Sequence, residues 1–493
     1  MQCKEPGCNG KVVDGLCRSC GVSVPEEQGE PLQKMIGAVF RNVTSARLKL
    51  LFVANCLIAL VFCLVSVNIV NRHEYAVRTV GLDAAPSVMA AHQIKIGAEQ
   101  MDANLTNELL VAPGEEKARR LIAAFEDRRR SVGQHIVAAA ENITYGRAEQ
   151  EPLEEIQAAA GKYEMQAQRA RDMHEAGRSA DAVKAYRAAM QTLLEKLLAN
   201  ADALNKANAG ELERIYWRKE SESALSSGLV LALGMLLLAL LVITQIYLAR
   251  RFHKRLNLPL LAATVCTIIV VEHVYSALLA NARHLKVAKQ DSYDSIVALL
   301  DARADAYSAN AAQNRWILDR EHAAEHETLF LNSVSSIAHF ARDHDFSETI
   351  ARAQKQLAGG QQIELPGFSG SLADELRNIR YDGEGRAALD ALLALSDYRA
   401  ADSKMRELAR SGAYDEAIKV GLGYDPGSSK FPFTKFDDAL GRALSINQDH
   451  FNTAVRAAFD DLRGLSFFVQ ATSLLIAICV YFGLRKHMAE YMD

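Results

Sequence analysis

Apolar residues are concentrated in four long runs along the 493-residue chain. Each run reaches the roughly 20 residues that an α-helix needs to cross a hydrocarbon core of about 30 Å. The runs cover residues 50–70, 224–249, 256–280 and 465–484. The first is no cleaved signal peptide, because it is long, begins near residue 50 and lacks a following small-residue cleavage site. The pattern predicts four transmembrane helices.

The two long connections between the runs carry the pattern of soluble helices. Residues 71–223 and 281–464 are rich in Ala, Leu, Glu, Arg and Gln, with Gly and Pro confined mostly to a few breaks. In the first connection, breaks at Pro113-Gly114, Tyr145-Gly146 and Gly177 predict four long helices. The fold class is therefore all-α, with two helical domains of the four-helix-bundle type.

Apolar side chains within these connections recur at alternating steps of three and four, which is typical of helices packed in a bundle. We expect these positions to form the core and nothing more. One seam lies on the helix that enters the second run, a second on the helix that leaves the first run, and a third on the helix that leaves the third run. They comprise Val183, Tyr186, Met190, Leu193, Leu197, Asn200 and Leu204; Ile94, Ala98, Met101 and Leu105; and Leu300, Ala304, Tyr307, Ala311, Asn314 and Leu318.

The two halves of the chain follow the same plan, which indicates a duplication of span, bundle and span. QMDANLTNELL (100–110) and RADAYSANAAQNRWILD (303–319) share an Asp-Ala followed by Asn and an apolar pair. The predicted order is a zinc-ribbon-like module (1–24), a linker (25–49), a span (50–70), a bundle (71–223), a span (224–249), a turn (250–255), a span (256–280), a bundle (281–464), a span (465–484) and a tail (485–493).

The basic residues that flank the runs predict the orientation. A net charge of −4 hides the clustering of Lys and Arg before the first run, in RRFHKR (250–255) and after the fourth run. With four spans these flanks share one face, and the positive-inside rule puts that face in the cytoplasm. We expect a multi-pass protein of a bacterial plasma membrane, with both termini cytoplasmic and both bundles outside.

Four of the eight cysteines lie within the first twenty residues. Cys3-x4-Cys8 and Cys17-x2-Cys20 supply two close pairs of thiolates, the ligand set that tetrahedral structural zinc prefers. About 24 residues cannot form a core without such a metal. The rival interpretation is a redox pair at Cys17 and Cys20, which the two further cysteines and the lack of a thioredoxin-like pattern disfavour. A reducing cytoplasm would keep these thiols available for zinc.

Other polar residues allow two interpretations. Glu272 and His273 interrupt the third run, either as an intramembrane polar switch or because the span ends there, which we favour. His322 and His326 stand at metal-chelating spacing beside Glu321 and Glu325, although a solvated helix face is the better interpretation. Four amides near the seams would fix bundle register or hold a ligand: Asn104, Asn107, Asn310 and Asn314.

No phosphate loop, nucleophile elbow or supported carboxylate pair occurs in the sequence, so we expect no catalytic residues and no enzyme. Nothing in the pattern indicates a nucleic-acid partner. The predicted cytoplasmic segments are too short for a kinase or cyclase domain, so any signal would pass through a partner protein. The ligand-binding residues stay unassigned.

Three stretches resemble known families. TVGLDAAPSVMAAHQIKIGAEQMDANLTNELL (79–110) resembles the periplasmic four-helix sensor domains of chemoreceptors and histidine kinases. PGCNGKVVDGLCRSCG (6–21) and RRFHKRLNLPLLAAT (250–264) resemble actinobacterial four-span membrane proteins with a zinc-ribbon-like terminus, which is also found in some soluble Ser/Thr kinases. That family is implicated in passing amino-acid availability from an extracellular solute-binding lipoprotein to a cytoplasmic kinase. The resemblance implies that Cys3, Cys8, Cys17 and Cys20 bind zinc.

The leading hypothesis is a non-enzymatic transmembrane sensor or signalling adaptor. Its outer bundles would sense a solute or a solute-binding protein, and its zinc-ribbon terminus would contact a cytoplasmic signalling protein such as a Ser/Thr kinase. The lipid bilayer and a homo-oligomer are further expected partners. The alternative is a structural membrane scaffold or envelope assembly factor. A transporter is disfavoured, because four spans with few charges offer no evident substrate path.

Overall fold

The computed structural model describes residues 12–13, 16–17, 44–252, 257–341, 346–360 and 363–489. The chain divides into two compact units. The apolar unit comprises Met1–Leu64, Ala232–Val271 and Gln470–Asp493, and the polar unit comprises Val65–Leu231 and Glu272–Val469. The two long connections between the apolar runs thus contribute to one compact unit.

The first half of the chain is helical after one short pair of strands. Strands β1 (Val12–Val13) and β2 (Leu16–Cys17) pair antiparallel, with Val12 opposite Cys17. The helices are α1 (Thr44–Arg78), α2 (Ala85–Leu109), α3 (Glu116–Glu141), α4 (Arg147–Glu175), α5 (Ser179–Thr192) and α6 (Ala199–Phe252). The three predicted breaks fall between these helices, as expected.

The second half has more and shorter helices. They are α7 (Leu258–Lys286), α8 (Asp294–Leu318), α9 (Ala323–Ile337), α10 (Phe346–Ala358), α11 (Ser371–Arg377), α12 (Glu384–Arg410), α13 (Tyr414–Leu422), α14 (Lys430–Leu462) and α15 (Leu465–Ala489). Strands β3 (His339–Phe340) and β4 (Phe368–Ser369) pair antiparallel. A turn at Arg463 and Gly464 separates α14 from α15, and Gly464 takes a positive φ of 70°, so a two-residue turn precedes the fourth span.

Within the described residues, four helical stretches are long and apolar enough to cross a membrane, in agreement with the four apolar runs of the sequence. Within the apolar unit, Asn55 donates to the hydroxyl of Thr244 at 3.0 Å and thereby links α1 to α6. Gly234 lies against Val271, so α6 and α7 approach closely at a residue without a side chain. Asn257 donates to the carbonyl oxygen of Gly483 on α15.

Within the described residues, three π-helical segments each join two α-helices. In a π-helix the backbone hydrogen bonds span five residues, one more than in an α-helix. Thr79–Ala84 joins α1 to α2, Leu193–Leu198 joins α5 to α6, and Val287–Tyr293 joins α7 to α8. Pro86 follows the first segment, and its ring nitrogen has no hydrogen to donate to the preceding turn. The first and third segments occupy the same position in the two halves, which supports the duplication.

The centre of the polar unit is the contact between α2 and α8, each 25 residues long. All four residues of the predicted α2 seam are buried, and so are Leu300, Ala304, Ala311 and Asn314 of the α8 seam. The seam that runs from α5 into α6 is buried at Tyr186, Leu193, Leu197 and Leu204 and half-buried at Val183, Met190 and Asn200. Beside the half-buried positions, Ala182, Ala189 and Ala201 are buried.

Candidate functional site

The predicted zinc ligands lie mostly outside the described residues. Cys3, Cys8 and Cys20 fall in undescribed segments, and only the backbone of Cys17 is described, in β2. Strands β1 and β2 follow the first cysteine pair, and β2 ends at Cys17 of the second pair. Four thiolates in two close pairs are a donor set that suits Zn²⁺, and the zinc site stays a prediction.

Glu272 and His273 both lie on α7 with exposed side chains. The ring of His273 meets Phe468 edge to face, with the ring centroids 5.1 Å apart. Neither residue is enclosed by the surrounding helices, and their role as a switch stays a prediction.

A buried cluster of charges joins α2 to α8. The guanidinium of Arg315 donates to Oδ2 of Asp102 at 2.7 and 3.0 Å and lies 3.5 Å from Oε2 of Glu99. All three side chains are at most 2% exposed. Because an isolated charge is costly to bury, each carboxylate depends on the shared arginine. We call Arg315, Asp102 and Glu99 the central charge cluster.

Two tyrosines of the first half surround the central charge cluster. Tyr186 donates to Oδ2 of Asp102 at 2.9 Å, and Tyr163 donates to Oδ1 at 3.3 Å. Burial raises the pKa of the Tyr163 hydroxyl well above its ordinary value, so this group remains a hydrogen-bond donor. α2, α4, α5 and α8 thus meet at one carboxylate, which couples the two halves.

A second ionic cluster lies near the carboxyl end of α8. Arg187 donates to Asp319 at 2.6 and 2.9 Å and to Glu321 at 2.6 Å. Ligand atoms of Asp319, Glu321 and His322 lie within 4.8 Å of one another. Arg187 pairs with both carboxylates, which makes this cluster an ion-pair network.

The solvated-face interpretation of the histidine pair is wrong for His326, which is 1% exposed, whereas His322 is partly exposed. Burial lowers the pKa of His326, and Arg315 adds to the effect. Burial acts to raise the pKa of Asp319, but hydrogen bonds from Arg187 and His322 outweigh it and lower that pKa.

The predicted amide positions lie inside the polar unit. Asn107, Asn310 and Asn314 are buried, and Asn104 is half-buried. Oδ1 of Asn310 accepts a hydrogen bond from the ammonium of Lys430 at 2.7 Å. Neither amide atom of Asn314 has a partner in the described protein. These contacts place polar groups along α8 beyond the central charge cluster.

Each of the π-helical segments 79–84 and 287–293 is held by one asparagine. Asn142 donates to the carbonyl oxygen of Asp83 at 2.7 Å and to the Ser87 hydroxyl at 2.8 Å. Asn378 donates in the same way to the carbonyl oxygen of Gln290 at 2.8 Å and to the Ser295 hydroxyl at 3.0 Å. We call these two arrangements the junction clamps.

A buried glutamate orders the loop beside each junction clamp. Oε2 of Glu149 accepts hydrogen bonds from the backbone amides of Thr144 and Tyr145. Oε2 of Glu384 accepts the corresponding bonds from Arg380 and Tyr381. The same asparagine, loop and glutamate thus recur in each half.

Sequence reasoning missed the junction clamps, although the sequence contains a signal for them. NITYG (142–146) and NIRYDG (378–383) repeat Asn-Ile-x-Tyr before a positive-φ glycine. The similarity between QMDANLTNELL and RADAYSANAAQNRWILD is a weaker sign of the repeat. Two hydrogen bonds link α2 to α8 at the same spacing: His92 with Asp301, and Glu99 with Ser308. In each pair the two residues are 209 positions apart in the sequence.

The halves differ within the junctions. Gly81 packs against Val455 of α14, and a Cβ atom at residue 81 would overlap that side chain. Lys289 lies in the other π-helical segment, 3% exposed, with its ammonium 2.5 Å from Glu213 and 2.6 Å from Asp294. One junction therefore relies on close packing and the other on a buried lysine that pairs with two half-exposed carboxylates.

These features define an all-α, multi-span membrane protein built from two similar halves. Residues 76–216 match the family model described as an actinobacterial sensor domain. The match covers the first half of the polar unit, from the end of α1 through the junction clamp to α6. No curated protein matches the chain, and no solved structure matches it.

Proposed function

We propose that the chain is a non-enzymatic transmembrane sensor or signalling adaptor. The observation that carries the proposal is the sensor-domain match over residues 76–216, on helices that belong to apolar membrane-spanning stretches. The charge pattern of the sequence supports placing the polar unit outside a bacterial plasma membrane and both termini in the cytoplasm.

Signal transfer would run through the paired helices α2 and α8. A solute or a solute-binding protein that favours one arrangement of the polar unit shifts the equilibrium only by its difference in affinity for the two arrangements. The central charge cluster couples α2 to α8, and the π-helical segments join each of them to a spanning helix. A change between α2 and α8 would reach the spans through those segments, since π-helical turns can change register locally.

The cytoplasmic readout would be the zinc-ribbon terminus. Cys3, Cys8, Cys17 and Cys20 would hold zinc, and the folded module would present a surface to a soluble partner such as a Ser/Thr kinase. The resemblance of this terminus to that of kinase-associated membrane proteins supports this part of the proposal.

The test compares a strain that lacks the protein with strains that carry the wild-type gene or Asp102→Asn. We expect the deletion strain to lose a kinase-substrate phosphorylation response to an extracellular solute, amino acids being tested first. We expect the Asp102→Asn strain to respond weakly at normal protein abundance, while an exposed variant such as Asp127→Asn responds normally. Unchanged phosphorylation across amino acids and other nutrients in the deletion strain would contradict the sensor function.

A further inference from the structure

A cavity of about 530 Å³ lies in the polar unit between α1, α6 and α7. One part of its lining is cationic, with Lys219, Arg283 and Lys286 against the single carboxylate of Glu220. The other part is apolar and includes Leu231 and Leu279. A ligand that fits this lining carries a negative group at one end and a hydrocarbon chain at the other.

Lys219 is the central cation of the cavity. It is 8% exposed, and within the described part of the chain it makes no hydrogen bond or ion pair. The nearby carboxylate of Glu222 lies 3.8 Å from the guanidinium of Arg72. A second cavity of about 590 Å³ also includes Lys219, together with Arg72 and Arg218. Burial lowers the pKa of Lys219 to about 8, although the Glu222 carboxylate acts in the opposite direction. A bound anion would offset the cost of burying this charge.

His73 lies behind the same lining and is 0% exposed, so a ligand in the cavity does not contact it in this arrangement. The side-chain nitrogen of Asn281 donates to the carbonyl oxygen of Ala458, so its Oδ1 accepts from Nδ1 of His73 at 2.8 Å. Nε2 of His73 is buried and has no partner in the described protein.

The cavity follows the transition from polar to apolar sequence. Along α6 its lining passes from Lys219 to Leu231, inside the second apolar run, and along α7 it passes from Lys286 back to Tyr275, inside the third run. Trp217 and Tyr75 are 54% and 57% exposed. Exposed Trp and Tyr beside a spanning segment are typical of the headgroup level of a bilayer.

We propose that this cavity binds an anionic phospholipid. The phosphate lies against Lys219, Arg283 and Lys286. One acyl chain extends along Leu231 and Leu279. Phosphatidylglycerol combines a net negative charge with acyl chains, whereas phosphatidylcholine has no net charge. The site is independent of any solute that the polar unit senses.

Native mass spectrometry of the full chain tests the assignment, with phosphatidylglycerol or phosphatidylcholine titrated into the same detergent. We expect phosphatidylglycerol to bind more tightly. Lys219→Met is expected to weaken its binding about tenfold or more, because a buried charge-assisted contact is lost. Lys206→Met, an exposed change on the same helix outside the cavity, leaves binding unchanged.

A second variant covers the case in which Lys219→Met does not fold, as judged by circular dichroism. Arg283 is exposed, so Arg283→Gln should fold and weaken phosphatidylglycerol binding about threefold. Equal binding of the two lipids, or unchanged binding in both cavity variants, would overturn the proposal. Displacement of the lipid by soluble glycerophosphate at equal concentration would also overturn it, by making the site one for free phosphates.

Discussion

Arg315 compensates two buried carboxylates at once, and this makes it the residue on which the centre of the polar unit depends. Asp102 and Glu99 come from α2, while Arg315 comes from α8. Breaking such a buried pair costs more than its net contribution, because the remaining partner keeps its desolvation penalty. The cluster therefore opposes separation of the two helices.

Replacing Arg315 by Met should destabilise the protein by about 3–5 kcal/mol, since two carboxylates are left without a counter-charge. Thermal unfolding of the full chain in detergent, followed by circular dichroism, measures the change. Arg120→Met is the matched control, because Arg120 pairs with Glu116 on the surface of α3 and should change stability by less than about 1 kcal/mol. Equal effects of the two variants would contradict the role of the cluster.

Glu375 gives the polar unit a dependence on pH. It is fully buried, and burial, together with the neighbouring Glu384, raises its pKa to about 8. The folded state thus binds a proton that the unfolded state releases near pH 4.5, so stability falls as the pH rises from about 4.5 to about 8.

Glu375→Gln removes this titration, since a neutral amide replaces the protonated acid. We expect the wild type to lose at most about 1.4 kcal/mol per pH unit from this group across that window. The variant should show a flatter profile and be relatively more stable at the alkaline end. The measurement is the unfolding midpoint against pH, and Glu364→Gln, an exposed change, is the control. If the unfolding midpoint of the variant changed with pH in parallel with that of the wild type, Glu375 would be excluded as the source of the pH dependence.

At the scale of elements, the junction clamps determine how each spanning helix continues into the polar unit. A π-helical turn leaves backbone groups less regularly paired than an α-helix, and Asn142 and Asn378 bind a carbonyl group in these segments. Their loss should free the segments locally before it affects the core.

Asn142→Ala and Asn378→Ala should each destabilise the protein by about 1–2 kcal/mol, because two hydrogen bonds are lost. Faster amide hydrogen exchange should be confined to residues 79–84 in the first variant and 287–293 in the second. Asn452→Ala, an exposed change on α14, should alter neither segment. Exchange that rises equally throughout the polar unit would show that the clamps act globally.

Gly81 tests the contact between one junction and α14. Gly81→Ala should destabilise by about 1–3 kcal/mol, because the new methyl group overlaps Val455. Val455→Ala should relieve much of that cost in the double variant. Gly133→Ala is the control: no atom lies within 4 Å of its added Cβ, and it should stabilise α3 by about 0.5–1 kcal/mol. The unfolding midpoints of Gly81→Ala, Val455→Ala, the double variant and Gly133→Ala are each compared with that of the wild type. If Gly81→Ala destabilised the wild type and the Val455→Ala variant equally, the overlap would be contradicted.

Sequence periodicity predicted the spans, the helix breaks and most of the seams, because these depend on local apolar spacing. It did not predict the π-helical segments, since no residue pattern marks them beyond Pro86. Arg315 was also missed, because its partners lie on a helix more than 200 residues away and a lone arginine has no periodicity.

At the scale of the whole molecule, orientation is the property that the proposed function most requires. The described helices of the polar unit contain no cysteine, whereas Cys56, Cys63, Cys266 and Cys479 lie in the apolar runs. A single cysteine placed on the surface of the polar unit can therefore report its side of the membrane.

Ser411→Cys should react with a membrane-impermeant maleimide in intact cells, because Ser411 is exposed in the turn after α12. Wild-type protein should react only after the membrane is permeabilised, since its terminal cysteines would be cytoplasmic. The measurement is the mass shift of the purified chain. Labelling of Ser411→Cys only after permeabilisation would invert the predicted topology.

The pairing of α2 with α8 joins two similar halves of one chain. In a symmetric homodimer each contact would occur twice, whereas here a contact such as His92–Asp301 occurs once, between different residues of the two halves. Covalent linkage makes the pairing independent of protein concentration, so expression level cannot switch this interface on or off. It also frees each half to specialise without disturbing the other. Gly81 and Lys289 lie in matching junctions of the two halves and already differ in this way, since one packs closely and the other forms ion pairs.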